Sequence, residues 1–160
     1  MVKELSEFKK RFNLKKPTIE QKTIIASALR EELLRRKDKI IKEFEKFVDY
    51  SEDGNSITFF IDLPSGETIA EAYLRRINNE SIDLQQISVG RMNSDTIFRN
   101  LGIGAMFIKK IFEYCVKNRI KRLTLKVDLD NIKALKLYKK LGFSIIKEDD
   151  DFYYMTKNLY

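Results

Sequence analysis

Arg99-Asn100-Leu101-Gly102-Ile103-Gly104 and the later run Asn131-Ile132-Lys133-Ala134-Leu135-Lys136-Leu137-Tyr138-Lys139-Lys140-Leu141-Gly142-Phe143 decide how this chain reads. The first stretch places two glycines between a strand and a helix. Glycine lets a backbone approach a phosphate with no Cβ in the way. The first amides of a helix are unpaired, and its dipole favours negative charge there. The stretch therefore reads as an anion cradle, with Arg99 in place for a charge-assisted contact. It is not a Rossmann fingerprint, because Phe107 stands where the third glycine belongs. It is not a P-loop, because no Gly-Lys-Ser/Thr follows. Two glycines alone serve a turn or close packing as readily as a phosphate. The second run is a helix capped by Asp130 or Asn131, striped by Ala134, Leu137, Tyr138 and Leu141, and stopped by Gly142.

Upstream, Ile57, Phe59, Ile61 and Leu63 alternate with period two. Thr68–Ile77 and Ile82–Val89 follow, after the turns Pro64-Ser65-Gly66 and Asn78-Asn79-Glu80, and complete an antiparallel meander. Gly90–Arg99 is polar and irregular. Phe107, Ile108, Ile111, Phe112, Cys115 and Val116 continue the helix opened by Gly102 and Gly104, with Cys115 on its buried, inert side. Leu123, Leu125 and Val127 alternate as a strand. Phe143–Lys147 and Phe152–Leu159 are strands around the acidic turn Glu148-Asp149-Asp150-Asp151, a solvated hairpin tip. The expected fold class is mixed α/β (α+β), a mostly antiparallel sheet flanked by helices.

Residues 1–50 read as helical. No Gly or Pro occurs from Thr18 to Tyr50, and Thr18 is placed to cap. Ile25, Leu29 and Leu33, then Ile40, Ile41, Phe44, Phe47 and Val48, recur at helical spacing. Arg35-Arg36-Lys37-Asp38-Lys39 is a joint between two helices, and Pro17 ends an earlier short helix around Leu5–Phe12. The chain thus divides into a helical segment, 1–50, packed on a domain, 51–160.

Composition limits the chemistry. At 160 residues, 43% hydrophobic and 34% charged, the chain has enough apolar surface for one core. It has no histidine, which excludes His-dependent triads, imidazole bases and His-containing zinc sites. Its single cysteine excludes an intrachain disulfide and a Cys-rich zinc site, so no metal is expected. The net charge is +7, and residues 1–50 hold fourteen basic against nine acidic residues. Mixed signs and few interleaved aromatics make this a solvated helix face, without a nucleic-acid signature. No apolar run approaches the roughly 20 residues needed to span a bilayer. The opening MVKELSEFKKRF lacks a signal's apolar stretch, so a cytoplasmic setting is expected.

Together the two runs resemble the GNAT superfamily of acetyl-CoA-dependent N-acetyltransferases. Its acyl-CoA motif, Arg/Gln-x-x-Gly-x-Gly/Ala, is matched by Arg99, Gly102 and Gly104. Its downstream motif, Asn-x-x-Ala-x-x-Leu-Tyr-x-x-x-Gly-Phe, is matched without a gap by Asn131, Ala134, Leu137, Tyr138, Gly142 and Phe143. The resemblance covers about Ser56 to Leu159. It implies acetyl-CoA as co-substrate, in a wedge where the third meander strand splays from Leu123–Val127. Pantetheine would pair with the backbone of Ile87, Ser88 and Val89. Pyrophosphate would rest on Arg99, Asn100, Leu101, Gly102, Ile103, Gly104 and Ala105. Asn131 and Tyr138 would flank the thioester, where an amine attacks directly through a tetrahedral oxyanion and Tyr138 protonates the departing thiolate. From spacing alone Tyr138 is a core residue, and Asn131 a cap.

The sequence departs from the family in three places. Gln85 and Gln86 occupy the strand where many relatives place a basic carboxylate or histidine. Asp83, Glu80 and Glu71 are the nearby carboxylates, and strand parity puts Asp83 on Gln85's face, opposite Gln86. An already neutral amine needs none of them. The loop Gly90–Phe98 is longer than usual, and Arg91 in it can face phosphate. No first strand precedes the helices of 1–50. The implied acceptor is a primary amine: a protein N-terminus or lysine, an aminoacyl-tRNA, or a small amine. The alternative is a non-catalytic module that uses residues 1–50 to form a homodimer or dock a partner.

Overall fold

The computed structural model describes residues 18–64, 66–90 and 101–160. The short helix expected around Leu5–Phe12, and Arg91, Arg99 and Asn100, lie outside the described residues. Among these residues two helices come first, α1 (Ile19–Arg35) and α2 (Lys37–Glu45). They meet at Arg36, within the polar joint expected from the sequence. Four strands follow: β1 (Val48–Asp53), β2 (Ser56–Asp62), β3 (Thr68–Asn78) and β4 (Ser81–Val89). The chain then forms α3 (Ile103–Lys117), β5 (Arg122–Asp128), α4 (Ile132–Lys140), β6 (Ser144–Glu148) and β7 (Phe152–Asn158).

The strands make one sheet in the order β1-β2-β3-β4-β5-β7-β6. Every neighbouring pair is antiparallel except β4 with β5. Parallel neighbours need a crossover, and α3 lies on it. The mixed, mostly antiparallel α/β architecture expected from the sequence is the one observed.

One reading is corrected. The helix was expected to run to Tyr50, but it ends at Glu45, and Val48–Asp53 is an edge strand on β2. Only Val48 and Tyr50 give this strand an apolar face, and its next residues are Ser51, Glu52 and Asp53, so its periodicity is too faint to read. Pairing supplies what the pattern lacks. Val48 lies opposite Ile61, and Tyr50 opposite Phe59, where the two rings stack at 5.3 Å.

Ile57, Phe59 and Ile61 of β2, Ala70, Ala72 and Leu74 of β3, and Ile82 and Leu84 of β4 are buried at alternate positions. Phe59 meets Phe107 and Tyr114 of α3 edge to face, at 6.3 and 5.4 Å. Ile40 and Phe44 of α2 are fully covered in the same core. Lys110 of α3 ion-pairs with Glu45 at the end of α2, at 2.9 Å. Cys115 is buried, and desolvation pushes its thiol up to about 12.

Candidate functional site

The parallel pairing of β4 with β5 runs only from Ser81↔Arg122 to Leu84↔Leu125. Beyond Leu84 the strands part, while β4 stays paired to β3 through Val89↔Ala70. The cause lies at Gln85. Leu84 faces Leu74 and Gln86 faces Tyr73, so Gln85 is an extra residue, a bulge that bends β4 and ends the ladder. The β5-facing backbone edge of residues 85–89 is therefore left without a ladder. This is the splay that the resemblance implied.

The bulge also corrects the parity count. Asp83 lies opposite Arg75 and Gln86 opposite Tyr73, two residues apart on β3, so Asp83 and Gln86 share a face. Plain alternation put them on opposite faces. Gln85 still donates to Asp83 through its side-chain amide, and Thr124 donates to the same carboxylate at 2.5 Å.

α3 begins beside the splay. Gly102, its N-cap, has φ +89°, a left-handed conformation that glycine adopts without strain. No side chain caps this end, and no acidic residue stands in the first turn. The first helical bond is Met106 N–H to Gly102 C=O, 3.0 Å. The amides of Ile103, Gly104 and Ala105 donate to no group among the described residues. The side chains of Leu101 and Ile103 are buried in the core, so these two residues offer the cradle only backbone. Gly104 is where the elements converge: a Cβ there would meet Leu137 Cδ2 of α4 at 3.8 Å and Val89 Cγ2 of β4 at 3.9 Å. Those are ordinary contacts, so no steric clash among the described residues requires glycine.

α4 brings the second motif to the same place. Asn131 is its N-cap and accepts from Ala134 N–H at 3.1 Å, which settles the cap in favour of Asn131 over Asp130. Gly142, with φ +88°, follows the helix end. Tyr138 is buried, edge-on to Phe143 at 5.7 Å. Its hydroxyl makes no hydrogen bond among the described residues. Burial pushes its pKa up to about 12. Ser88 of β4 contributes a buried hydroxyl oxygen with no hydrogen-bond partner among the described residues. Bare amides, an unpaired strand edge, an uncommitted buried hydroxyl and a glycine at the convergence of β4 and α4 fit a thin, phosphate-bearing acyl carrier such as acetyl-CoA.

The structure separates the three carboxylates. Glu80 sits before β4 at the far end from Val89, about 30 Å along the strand, and is ion-paired with Lys121 at 2.5 Å. Asp83 lies within the paired part of β4. Glu71 stands opposite Ser88, alongside the unpaired part, and accepts from Tyr73 Oη at 2.9 Å.

One residue beside the site escaped the sequence reading. Lys37 lays its stem across Gly102: Cε is 3.3 Å and Nζ 3.8 Å from where a Cβ would stand. It opens the pattern Lys37, Ile40, Ile41, Phe44, which is i, i+3, i+4, i+7 of one helix face. A lysine in step with an apolar stripe was the available signal. It was submerged in the run of charges around it. Among the described residues, no group of three or more His, Cys, Asp or Glu side chains is placed to hold a metal. No helix among them is long and apolar enough to cross a membrane.

Comparison with known proteins matches this arrangement. The model of the Acetyltransferase (GNAT) family matches residues 25–143. A curated relative, acetyltransferase PseH of Campylobacter jejuni, is 40% identical over 55 residues, 34% of this chain and 35% of that protein. The match thus spans about a third of that relative's length. The crystal structure of C. jejuni N-acetyltransferase PseH with acetyl coenzyme A has a TM-score of 0.53 at 23% identity, covering 80% of this chain and 78% of that one. The ribosomal-protein-S18-alanine N-acetyltransferase of Escherichia coli has a TM-score of 0.58 at 18% identity, covering 73% and 84%. The chain belongs to the GNAT acetyltransferase family.

Proposed function

We propose that this GNAT chain is an acetyl-CoA-dependent N-acetyltransferase that acts on a primary amine by direct attack. The observation that carries the reading is the meeting of Gly104, Val89 and Leu137 at the mouth of the β4–β5 splay. Acetyl-CoA supplies an activated acyl carbon. The unpaired edge of Ile87, Ser88 and Val89 is available to pair with the amide-bearing pantetheine arm. The amides of Gly102, Ile103, Gly104 and Ala105, with Arg99 and Asn100 upstream, are the donors for pyrophosphate. In the transfer the amine nitrogen bonds to the acyl carbon, the carbon–sulfur bond breaks, and the nitrogen's surplus proton passes to water, which restores the proton that Tyr138 gives to the thiolate.

Tyr138 is assigned to protonate the departing thiolate. A phenol raised to about 12 is protonated at neutral pH, the form a proton donor needs. Asn131 is assigned, with Tyr138, to flank the thioester end of the carrier, its side-chain oxygen serving the cap. No carboxylate is assigned as a strong base. Glu80 is too distant, and Glu71 is the one carboxylate of the three alongside the open part of β4. The E. coli neighbour's acceptor is an alanine amine, and that supports the amine class here without choosing among peptide, tRNA-borne and small amines.

The test is a calorimetric titration with acetyl-CoA and with CoA, followed by thiol release across a panel of amines. Micromolar binding of both, with amine-dependent thiol release, is the expected result. A folded protein that binds neither overturns the reading. Binding without turnover on any amine favours the interaction-module alternative.

A further inference from the structure

We infer that Lys37 is a phosphate-binding residue, its ammonium closing over the bare end of α3 to neutralise the pyrophosphate of the acyl carrier. The inference rests on the acetyl-CoA reading above and adds to it a residue from outside the shared motifs. Three observations carry it.

The first is position. Lys37 Nζ lies 3.8 Å from the Cβ site of Gly102, the residue that starts α3. The amides of Ile103, Gly104 and Ala105 lead away from that point with no acceptor among the described residues. An anion seated on those amides would come within reach of the ammonium. The second is charge. Lys37 makes no ion pair among the described residues, whereas Lys46, Lys110 and Lys121 each have a glutamate within 3.2 Å. The first turn of α3 lacks an acidic residue as well, so among the described residues neither positive feature has an ion-pair partner.

The third is presentation. Lys37 is exposed, yet it begins the helix face that continues as Ile40, Ile41 and Phe44. Ile40 and Phe44 are rooted in the core, and Glu45 ties the other end of α2 to Lys110 of α3. The ammonium is therefore offered from a helix fixed to α3, not from a loop. A lysine acts on phosphate as a flexible point charge with three donors, which suits a diphosphate resting on backbone amides.

The stem contact with Gly102 is the competing explanation, since it can serve packing alone. Lys37→Met keeps a stem and removes the charge; Lys37→Gln is the second neutral variant, and Lys37→Arg restores the charge. Each full-length variant, checked for an unchanged melting profile, is titrated calorimetrically with CoA and with dephospho-CoA at several salt concentrations. The expected result is an affinity loss of about tenfold for both ligands in Met and Gln. It comes with a shallower salt dependence and recovery in Arg. Unchanged affinity in Met and Gln overturns the proposal and leaves the stem a packing element. A loss for CoA but not dephospho-CoA also overturns it, because the ammonium would then serve the 3′-phosphate. Failure of the wild-type chain to bind either ligand is distinguishable from both, and removes the acetyl-CoA reading together with this one.

Discussion

The two helices that meet beside the splay begin in opposite ways. α4 starts under Asn131, whose side chain accepts from the Ala134 amide. α3 starts at Gly102, with no side-chain cap, no acidic residue and three amides uncommitted among the described residues. A capped helix end is satisfied by its own chain, and this typically adds about 1 kcal/mol. An uncapped end forgoes that gain and keeps its donors for an anion. Nearby positions thus differ in what they leave open: under the proposed function the start of α3 is assigned to binding, and α4, whose start is satisfied by its own cap, carries the assigned proton donor Tyr138.

The largest effect should separate turnover from binding. Tyr138→Phe keeps the ring against Phe143 and removes the proton. Acetyl transfer should fall about 10²-fold or more with CoA affinity retained, read by thiol release beside calorimetry. A variant that transfers at the wild-type rate would return Tyr138 to the core, where its spacing alone had put it.

Gly104→Ala tests the other helix. The added methyl meets Leu137 and Val89 only at ordinary contact distances. Alanine is the better helix former, by up to about 1 kcal/mol. The melting temperature should therefore hold or rise, while CoA affinity drops about tenfold. Loss of stability and affinity together would mean that the glycine serves packing.

Asn131→Ala should act on stability, costing about 1 kcal/mol, or about 2–4 °C in melting temperature for a chain of this size. Asn131→Asp, which keeps an acceptor at the cap, should recover most of it. An unchanged melt in the alanine variant would end the contrast between the two helix starts.

The smallest effect is in pH dependence. Tyr138 holds its proton up to about 12 in the folded chain, against about 10 for an ordinary tyrosine. Its contribution to stability is thus fully present below pH 10 and is lost as the pH rises through about 12, because the unfolded chain releases the proton first. The transfer rate should show no alkaline fall from this phenol near pH 10. A limb there, absent from the Phe variant, would place the hydroxyl in water.

Most of the architecture was legible because it is written in local patterns. Period two marks β2 through Ile57, Phe59 and Ile61, and the Asn131–Phe143 run marks α4 from cap to stop. Features set by pairing were not. β1 is a strand because Val48 and Tyr50 lie opposite Ile61 and Phe59, and its own residues hardly announce it. The bulge at Gln85, which opens the splay, appears only in the register against Tyr73 and Leu74. The site divides similarly. Gly102, Gly104, Asn131 and Tyr138 stand in motifs readable along the chain, whereas Lys37 reaches Gly102 only through the fold.

The one parallel seam also governs how the sheet is assembled in time. β1 to β4 form hairpins between chain neighbours, and β6 with β7 does the same. The contact of Thr124 with Asp83 joins residues 41 apart, across the crossover that holds α3. Closing that loop carries the larger entropy cost, so the seam should zip late in folding and open early in unfolding. A ligand lodged in the splay would bridge the two late-joining halves and slow their parting, so occupancy should lengthen the lifetime of the fold as well as stabilise it.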